Sequence, residues 1–390
     1  MLRNNTVSRA DLGNDRNRIL DIHYGDVLIR YGAVVDVSTL EGPSISITDN
    51  RFLGDRLTDG DIIMADTAED TNAGKCVEIE GLMQRNVVAG LHTIPLRPVT
   101  LSGRGYWGQY LNSASFRDQL FPKMQGTKVV SLSRTTVVNA TVRYPSLPEQ
   151  HCIGEFFTTL DSLIAAAERQ EALLRQKKQA YLQLMFPQEG ETQPRLRFNG
   201  VSGEWESLQL GKLYEKNTER NGNQFDAGKT LSVSSMTFNA FGNGAAKESL
   251  TTYKVLRIGD AAFEGHTSNE FAFGRFVVNT IGDGIMSPRF TAIRPTARWR
   301  QSCDLDFWSC YLHDENVMKR ILVRSTKRGT MMNELVLDDF FTERIRVPSL
   351  PEQRRIGEFF STLDNLIAAA ENRAASLRAL KFAYLQRMFV

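Results

Sequence analysis

Residues 145–186 and 348–389 carry nearly the same sequence twice. The first reads PSLPEQHCIGEFFTTLDSLIAAAERQEALLRQKKQAYLQLMF, the second PSLPEQRRIGEFFSTLDNLIAAAENRAASLRALKFAYLQRMF. At a constant offset of 203 residues, without a gap, 30 of the 42 positions are identical. Such a repeat divides the chain into two units of roughly 200 residues, each ending in the same element.

The repeated element reads as a long helix. Apolar residues recur at four-three spacing: Ile153, Phe157, Leu160, Ile164, Ala167, then Leu174, Tyr181 and Met185. The second copy runs Ile356, Phe360, Leu363, Ile367, Ala370, Ala374, Leu377, Tyr384 and Met388. This is the heptad seam of a helix that packs lengthwise against another helix, and the shared seam predicts an antiparallel pair. Ser146 and Glu149 fit a capping box, with Pro148 suited to the first turn. Phe156, Leu163, Phe359 and Leu366 widen the apolar stripe beyond what two helices need. Each helix therefore has a third surface to cover, on its own domain or on a partner; the plainer alternative is a helix pair that only staples the fold.

A fainter repeat precedes each helix. Gly60-Asp61-Ile62 is echoed by Gly259-Asp260-Ala261, Thr93–Pro98 by Thr291–Pro295, and Tyr106–Leu111 by Phe307–Leu312. Most side chains between these landmarks differ, so one scaffold is used twice with changed surfaces. Short runs such as Asp61–Ala65, Thr93–Leu96 and Phe276–Thr280 alternate with Gly/Asn/Asp turns and predict strand-rich domains with a few short helices. Residues 194–213, around Trp205, form an entry segment to the second domain, and nothing like it precedes Arg3.

Hydrophobic residues make up 42% and charged residues 24% of the chain, as in ordinary globular proteins. No stretch approaches the roughly 20 apolar residues of a membrane span, and MLRNNTVSRADL has no signal-peptide core. Cys76, Cys152, Cys303 and Cys310 form no CxxC pair, and the histidines offer no zinc spacing. These features predict a cytoplasmic protein with structural thiols and without metal or membrane. The net charge is only +2, but residues 1–80 carry eight Lys/Arg against fifteen Asp/Glu, whereas residues 81–144 carry eight against one. That polarity suits either a surface facing a polyanion or a fold whose charges compensate in space.

The PxLxEQxxI start at 145 and 348, the YLQ-M-F helix ends and the GEWE…LG entry at Gly203–Gly211 resemble the specificity subunit of type I restriction-modification systems. Asn4–Leu12 followed by His23-Tyr24-Gly25-Asp26, and Gly126-Thr127-Lys128-Val129, are similar to segments of that family's target recognition domains. The resemblance covers nearly the whole chain and departs at the N-terminus. It implies an α+β fold: two strand-rich mixed target recognition domains separated by two long antiparallel coiled-coil helices. The boundaries are 1–144 for the first recognition domain, its entry segment missing, 145–190 for the first spacer helix, 191–347 for the second domain and 348–390 for the second helix. It further implies a non-catalytic DNA-recognition subunit without a cofactor of its own. Each domain reads half of a bipartite site on double-stranded DNA. Modification (methyltransferase) subunits and restriction (helicase-nuclease) subunits dock on the helices. A helix of about 38 residues spans about 57 Å, an upper limit of about 17 base pairs, so half-site spacing would be geometric.

Candidate DNA-binding residues lie in the basic stretches: Arg104, Lys123, Lys128 and Arg134 in the first domain, and Arg289, Arg298, Arg300, Lys327 and Arg328 in the second. Each is equally readable as a solvated surface charge. Tyr106 and Trp107 open an apolar run and read as core rather than as base-stacking residues. Gly103–Gly108 matches GxGxxG without the acidic partner about 20 residues on that a dinucleotide site requires. Gly228-Lys229-Thr230 ends like a P-loop, but Asn223 stands where its first glycine should be. His92 and Ser102 have no identifiable third partner. With no methyltransferase or nuclease motif either, the rival reading is a non-catalytic interaction scaffold built on a duplicated coiled coil.

Overall fold

The computed structural model describes residues 1–13, 19–45, 54–126 and 128–389; Thr127 of the Gly126–Val129 tract lies outside them. The chain forms two compact units, Met1–Arg169 with Ala370–Val390, and Gln170–Ala369. Each is mixed α+β. The two long helices, Leu147–Met185 and Leu350–Met388, each contribute residues to both units.

In the first unit the strand Ile62–Ala65 pairs antiparallel with Cys76–Glu80 on one side and Thr93–Leu96 on the other. Ile62–Ala65 and Cys76–Glu80 are buried at every position. They therefore read as continuous runs rather than alternating ones, the pattern of strands covered on both faces. Val34–Asp36 adds a parallel edge to Cys76–Glu80. A second sheet sets Ile19–Ile22 parallel to Val87–Ala89 and antiparallel to Ser44–Ile45.

The second unit rebuilds this plan. Ala261–Glu264 lies between Arg275–Val278 and Thr291–Pro295, both antiparallel. Thr230–Ser232 runs parallel to Gly284–Met286 and antiparallel to Thr237–Asn239. The entry segment's strand Glu206–Gln209, antiparallel to Arg344–Val347, which leads into the second long helix, has no counterpart among the described strands of the first unit. Trp205, almost fully buried, anchors that strand on Phe307 and Tyr311 at centroid distances of 6.1 and 5.8 Å.

Within each unit the ends of the long helices run antiparallel. In the first, Phe156 meets Tyr384 edge-on at 4.9 Å, and Phe157 stacks on Phe389 at 5.7 Å. In the second, Tyr181 meets Phe359 at 5.0 Å, and Phe186 meets Phe360 at 5.6 Å. Among the seam residues, Ile153, Phe157, Leu160, Ile356, Phe360, Leu363 and Ile367 are buried. Ile164, Leu174, Tyr181 and Leu377 are half-buried, and Tyr384 is exposed at its edge. The seam also reaches the domains. Ile153 and Phe157 join a core with Tyr106, Tyr110, Phe116 and Phe389, while Ile356 and Phe360 join one with Trp205, Phe307, Trp308 and Tyr311.

The glycine shared by both helix starts has a steric cause. A Cβ on Gly154 would lie 1.9 Å from the Arg104 carbonyl oxygen, and one on Gly357 would lie 2.6 Å from the Phe307 nitrogen. Each position lets a short domain helix butt against the long one, and a larger side chain would force them apart.

Candidate nucleic-acid interface

Two pieces of framework recur in both units and set the positions of the surface residues. The first is a glutamine in the opening turn of each long helix. Gln150 is buried, donates to the Pro145 carbonyl at 3.0 Å and accepts from the Gly103 amide at 3.1 Å. Gln353 donates to the Pro348 carbonyl at 3.1 Å and accepts from the Asp304 amide at 3.0 Å and from Trp308 Nε1 at 3.1 Å. The second piece is an aspartate–arginine clasp. Asp61 accepts from Arg97 Nε at 2.8 Å, from Arg97 Nη2 at 2.7 Å and from the Thr58 amide at 2.7 Å. Asp260 accepts from Arg294 Nε at 3.0 Å, from its Nη2 at 2.7 Å and from the Arg257 amide at 2.9 Å. Both aspartates are buried, and the two-toothed geometry fixes a turn to the strand carrying the arginine. The clasp is the physical content of the Gly-Asp and Arg-Pro landmarks.

Each clasp borders an open cleft. The cleft in the first unit, about 720 Å³, is lined by Asp36, Asp59, Glu78 and Glu80 with Arg97 and Arg104. That in the second, about 700 Å³, is lined by Glu219 and Asp283 with Arg257, Arg294 and Arg300. Arg257 bridges Glu219 at 2.5 Å and Asp283 at 2.9 Å, and its hydrogen bond holds the Glu219 carboxyl below its usual value. The cations in these clefts are already partnered by carboxylates, which is poor chemistry for gripping a phosphate.

The candidate basic residues divide accordingly. Arg104 pairs with Glu80 at 2.5 Å. Arg134 holds the N-terminal segment, donating to the Leu2 carbonyl at 3.0 Å and to Asn4 Oδ1 at 2.7 Å. Arg300 lies 3.7 Å from Asp260, and Arg289 stacks over Phe290 at 4.7 Å. Lys123, Lys128, Arg298, Lys327 and Arg328 are exposed and have no acidic partner among the described residues. Lys327 ends the strand Thr326–Lys327, in register with Glu334 of the strand Glu334–Leu335, and Arg328 follows it into the turn between them. Arg328 also edges a groove with Gly329, Met331, Met332 and Asn333. Together with Arg289, these five are the candidates that no carboxylate or backbone carbonyl holds.

Tyr106 is buried, and Trp107 is half-buried against Tyr106, Tyr110 and Tyr144. The GxGxxG tract is also packing. Glu78, buried, accepts from the amides of Gly105 at 2.7 Å and Gly108 at 2.9 Å, and burial pushes its carboxyl up to about 7. A Cβ on Gly108 would meet the Ala33 carbonyl oxygen at 2.1 Å. Lys229 of the P-loop-like tract covers the Phe238 ring at 4.7 Å. Among the described residues no group of three or more His, Cys, Asp or Glu is placed to hold a metal ion. No helix among them is long and apolar enough to cross a membrane.

The duplicated scaffold with paired long helices is the fold of type I restriction-modification specificity subunits. The type I S subunit from M. genitalium superposes on the chain with a TM-score of 0.55 at 12% identity, covering 100% of this chain and 93% of its own. Also similar are the HsdS subunit from Thermoanaerobacter tengcongensis (TM-score 0.44, 16% identity, 97% and 93% covered) and a chain from a structure of type I R-M complex assembly (0.47, 17%, 91% and 90%). No family model and no curated protein matches the sequence.

Proposed function

We propose that this chain is the DNA sequence-recognition subunit of a type I restriction-modification complex. On this reading each unit addresses one half of a bipartite duplex site. The observation that carries it is the division between framework and surface. The clasp, the helix-anchoring glutamine and the order of the three central strands recur, whereas the exposed cations differ residue by residue even on a turn the two units share: Lys123 and Lys128 flank Gly126, while Lys327 and Arg328 precede Gly329. A scaffold kept twice with its outer residues changed is what two readers of different sequences require. Phosphate contacts would come from Lys123, Lys128, Arg298, Lys327 and Arg328, with neighbouring side chains reaching base edges. The long helices would present their remaining apolar positions, including Leu163, Leu173, Leu366 and Leu380, to modification and restriction subunits; all four are exposed.

The test is reconstitution with the cognate modification subunits, followed by binding to a library of bipartite duplexes and mapping of adenine methylation. Exchanging residues 191–347 for those of a relative should change one half-site and leave the other half and the spacing intact. Alteration of both half-sites together, or sequence-independent binding alone, would overturn the reading in favour of a non-catalytic scaffold.

A further inference from the structure

A tight glycine turn occurs in both units at the 203-residue offset, and its two copies differ at the tip. Gly126 matches Gly329, and in each a Cβ would collide with the carbonyl oxygen three residues on, that of Val129 in one unit and of Met332 in the other. Only glycine closes either turn. Two residues past the glycine the first unit carries Lys128 and the second Met331, both exposed. The framework repeats, while the side chain it presents changes from a cation to an apolar thioether.

The second copy is fastened along its length. Thr326–Lys327 pairs antiparallel with Glu334–Leu335 as a two-stranded ribbon. The Val336 amide donates to the Ser325 carbonyl at 2.8 Å across its base, and the Asn333 amide donates to the Gly265 carbonyl at 2.8 Å. Gly265 leaves no room for a Cβ against the Asn333 backbone, so the ribbon lies close on the segment after Ala261–Glu264. Leu335 is buried and Met332 half-buried, yet Met331 is 84% exposed.

The surroundings of Met331 are cationic. Arg320 on the helix Glu315–Ser325, Lys327 and Arg328 are exposed, and none is paired with a carboxylate among the described residues. The ribbon's one carboxylate, Glu334, lies across from Lys327 at the base rather than at the tip. An apolar tip beside unpaired cations suits a polyanion that displays apolar groups between its charges. Duplex DNA has that chemistry: its major groove admits a two-stranded ribbon, and the thymine 5-methyl is the apolar group displayed there.

We infer that Met331 determines one base of the second half-site by packing on a thymine methyl in the major groove, with Arg320, Lys327 and Arg328 on the flanking phosphates. The inference rests on the DNA-recognition reading and adds which side chain reads a base and which base it reads. Because the contact has no hydrogen bond, it discriminates by the methyl group alone.

The probe is the duplex preferred by the full chain with its modification subunits, remade with deoxyuridine in place of each thymidine in turn. The bases still pair, and only the methyl is lost. One replacement in the half-site that depends on residues 191–347 should weaken binding about fourfold, the worth of one buried methyl group. Met331→Ala should bind the thymidine and deoxyuridine duplexes alike, and Met331→Leu should restore the difference. Peroxide oxidation of Met331, read by mass spectrometry, should be shielded by the preferred duplex and not by modification subunits alone. Sequence-independent binding would overturn the DNA-recognition reading together with this assignment. Sequence-specific binding in which no thymine methyl of that half-site matters, or matters equally in Met331→Ala, would overturn the assignment alone. Shielding of Met331 by modification subunits without DNA would also overturn it, making the tip a protein contact.

Discussion

Lys381 Nζ lies 2.6 Å from Asp161 Oδ1, tying the end of the second long helix to the beginning of the first. At the 203-residue offset the same pair recurs with roles exchanged between helices, Lys178 Nζ lying 2.5 Å from Asp364 Oδ1. Each unit thus closes its helix pair with one lysine and one aspartate supplied by opposite copies of the repeat. All four side chains are partly exposed, so each bridge contributes about 0.2–1 kcal/mol. Their weight lies in register: a slip of one helical turn breaks both ion pairs while leaving the seam apolar.

The seam itself should carry the stability. Leu160→Asp or Leu363→Asp places a carboxylate at a position 5% or 8% exposed, and should cost about 3–5 kcal/mol or force protonation. The exposed change Arg169→Ala should stay within about 0.5 kcal/mol. Urea unfolding of the three variants decides it: equal midpoints would refute the seam assignment.

Gln353→Leu should destabilise the second unit by about 2–4 kcal/mol, because it strands the Asp304 amide and Trp308 Nε1 without acceptors. Gln150→Leu should cost less, since only the Gly103 amide loses its acceptor. Chemical denaturation followed by tryptophan fluorescence compares the two; an equal or reversed order would contradict the assigned hydrogen bonds.

These glutamines also mark where the sequence stops being readable. The helices, their lengths and their seam follow from spacing alone, because a helix repeats every 3.6 residues and its apolar face must be covered. The opening turn reads as a Ser146/Glu149 capping box, yet the side chain that fastens it to the domain is Gln150. Its acceptor contact is 47 residues away in sequence, and no local rule reaches so far. The Asp61–Arg97 clasp is hidden in the same way by a separation of 36 residues, although repetition of both landmarks was the available clue. The basic candidates fared unevenly because composition shows charge, not partners. Arg134 and Arg104 are equally basic in the sequence, but one is committed to the N-terminal segment and the other to Glu80.

Stability of the first unit should fall as pH rises from about 5 to 7. The buried carboxyls of Glu78 and Asp21 are each pushed up to about 7, mainly by burial. The folded state therefore binds protons that the unfolded chain has already released, and unfolding becomes easier as those protons leave. One such shift is worth at most about 3–4 kcal/mol. Urea midpoints at pH 5 and 7.5 should differ less in Glu78→Gln than in the parent; an unchanged difference would show that Glu78 does not titrate in this range.

Lys327→Ala and Arg328→Ala should separate the two kinds of DNA contact. A phosphate contact weakens binding to all sequences and lowers the salt slope by about one, whereas a base contact costs about 1–3 kcal/mol at one position. Binding to the bipartite library at several salt concentrations, with modification subunits present, reads both effects. Affinity and slope unchanged in both variants would remove this turn from the interface.

Phe389 packs against Tyr106, Tyr110 and Phe157, completing the core of the unit whose other residues come mostly from the first 169. The consequence concerns the order of events on the ribosome. The second unit is one continuous stretch, Gln170–Ala369, and can close as soon as it emerges. The first must hold an incomplete core open while more than half the chain is still being made, a wait of about 10–50 s at bacterial or eukaryotic elongation rates. The portion translated first is thus the last to finish folding. During that interval its apolar face is the part of the nascent chain most in need of a chaperone.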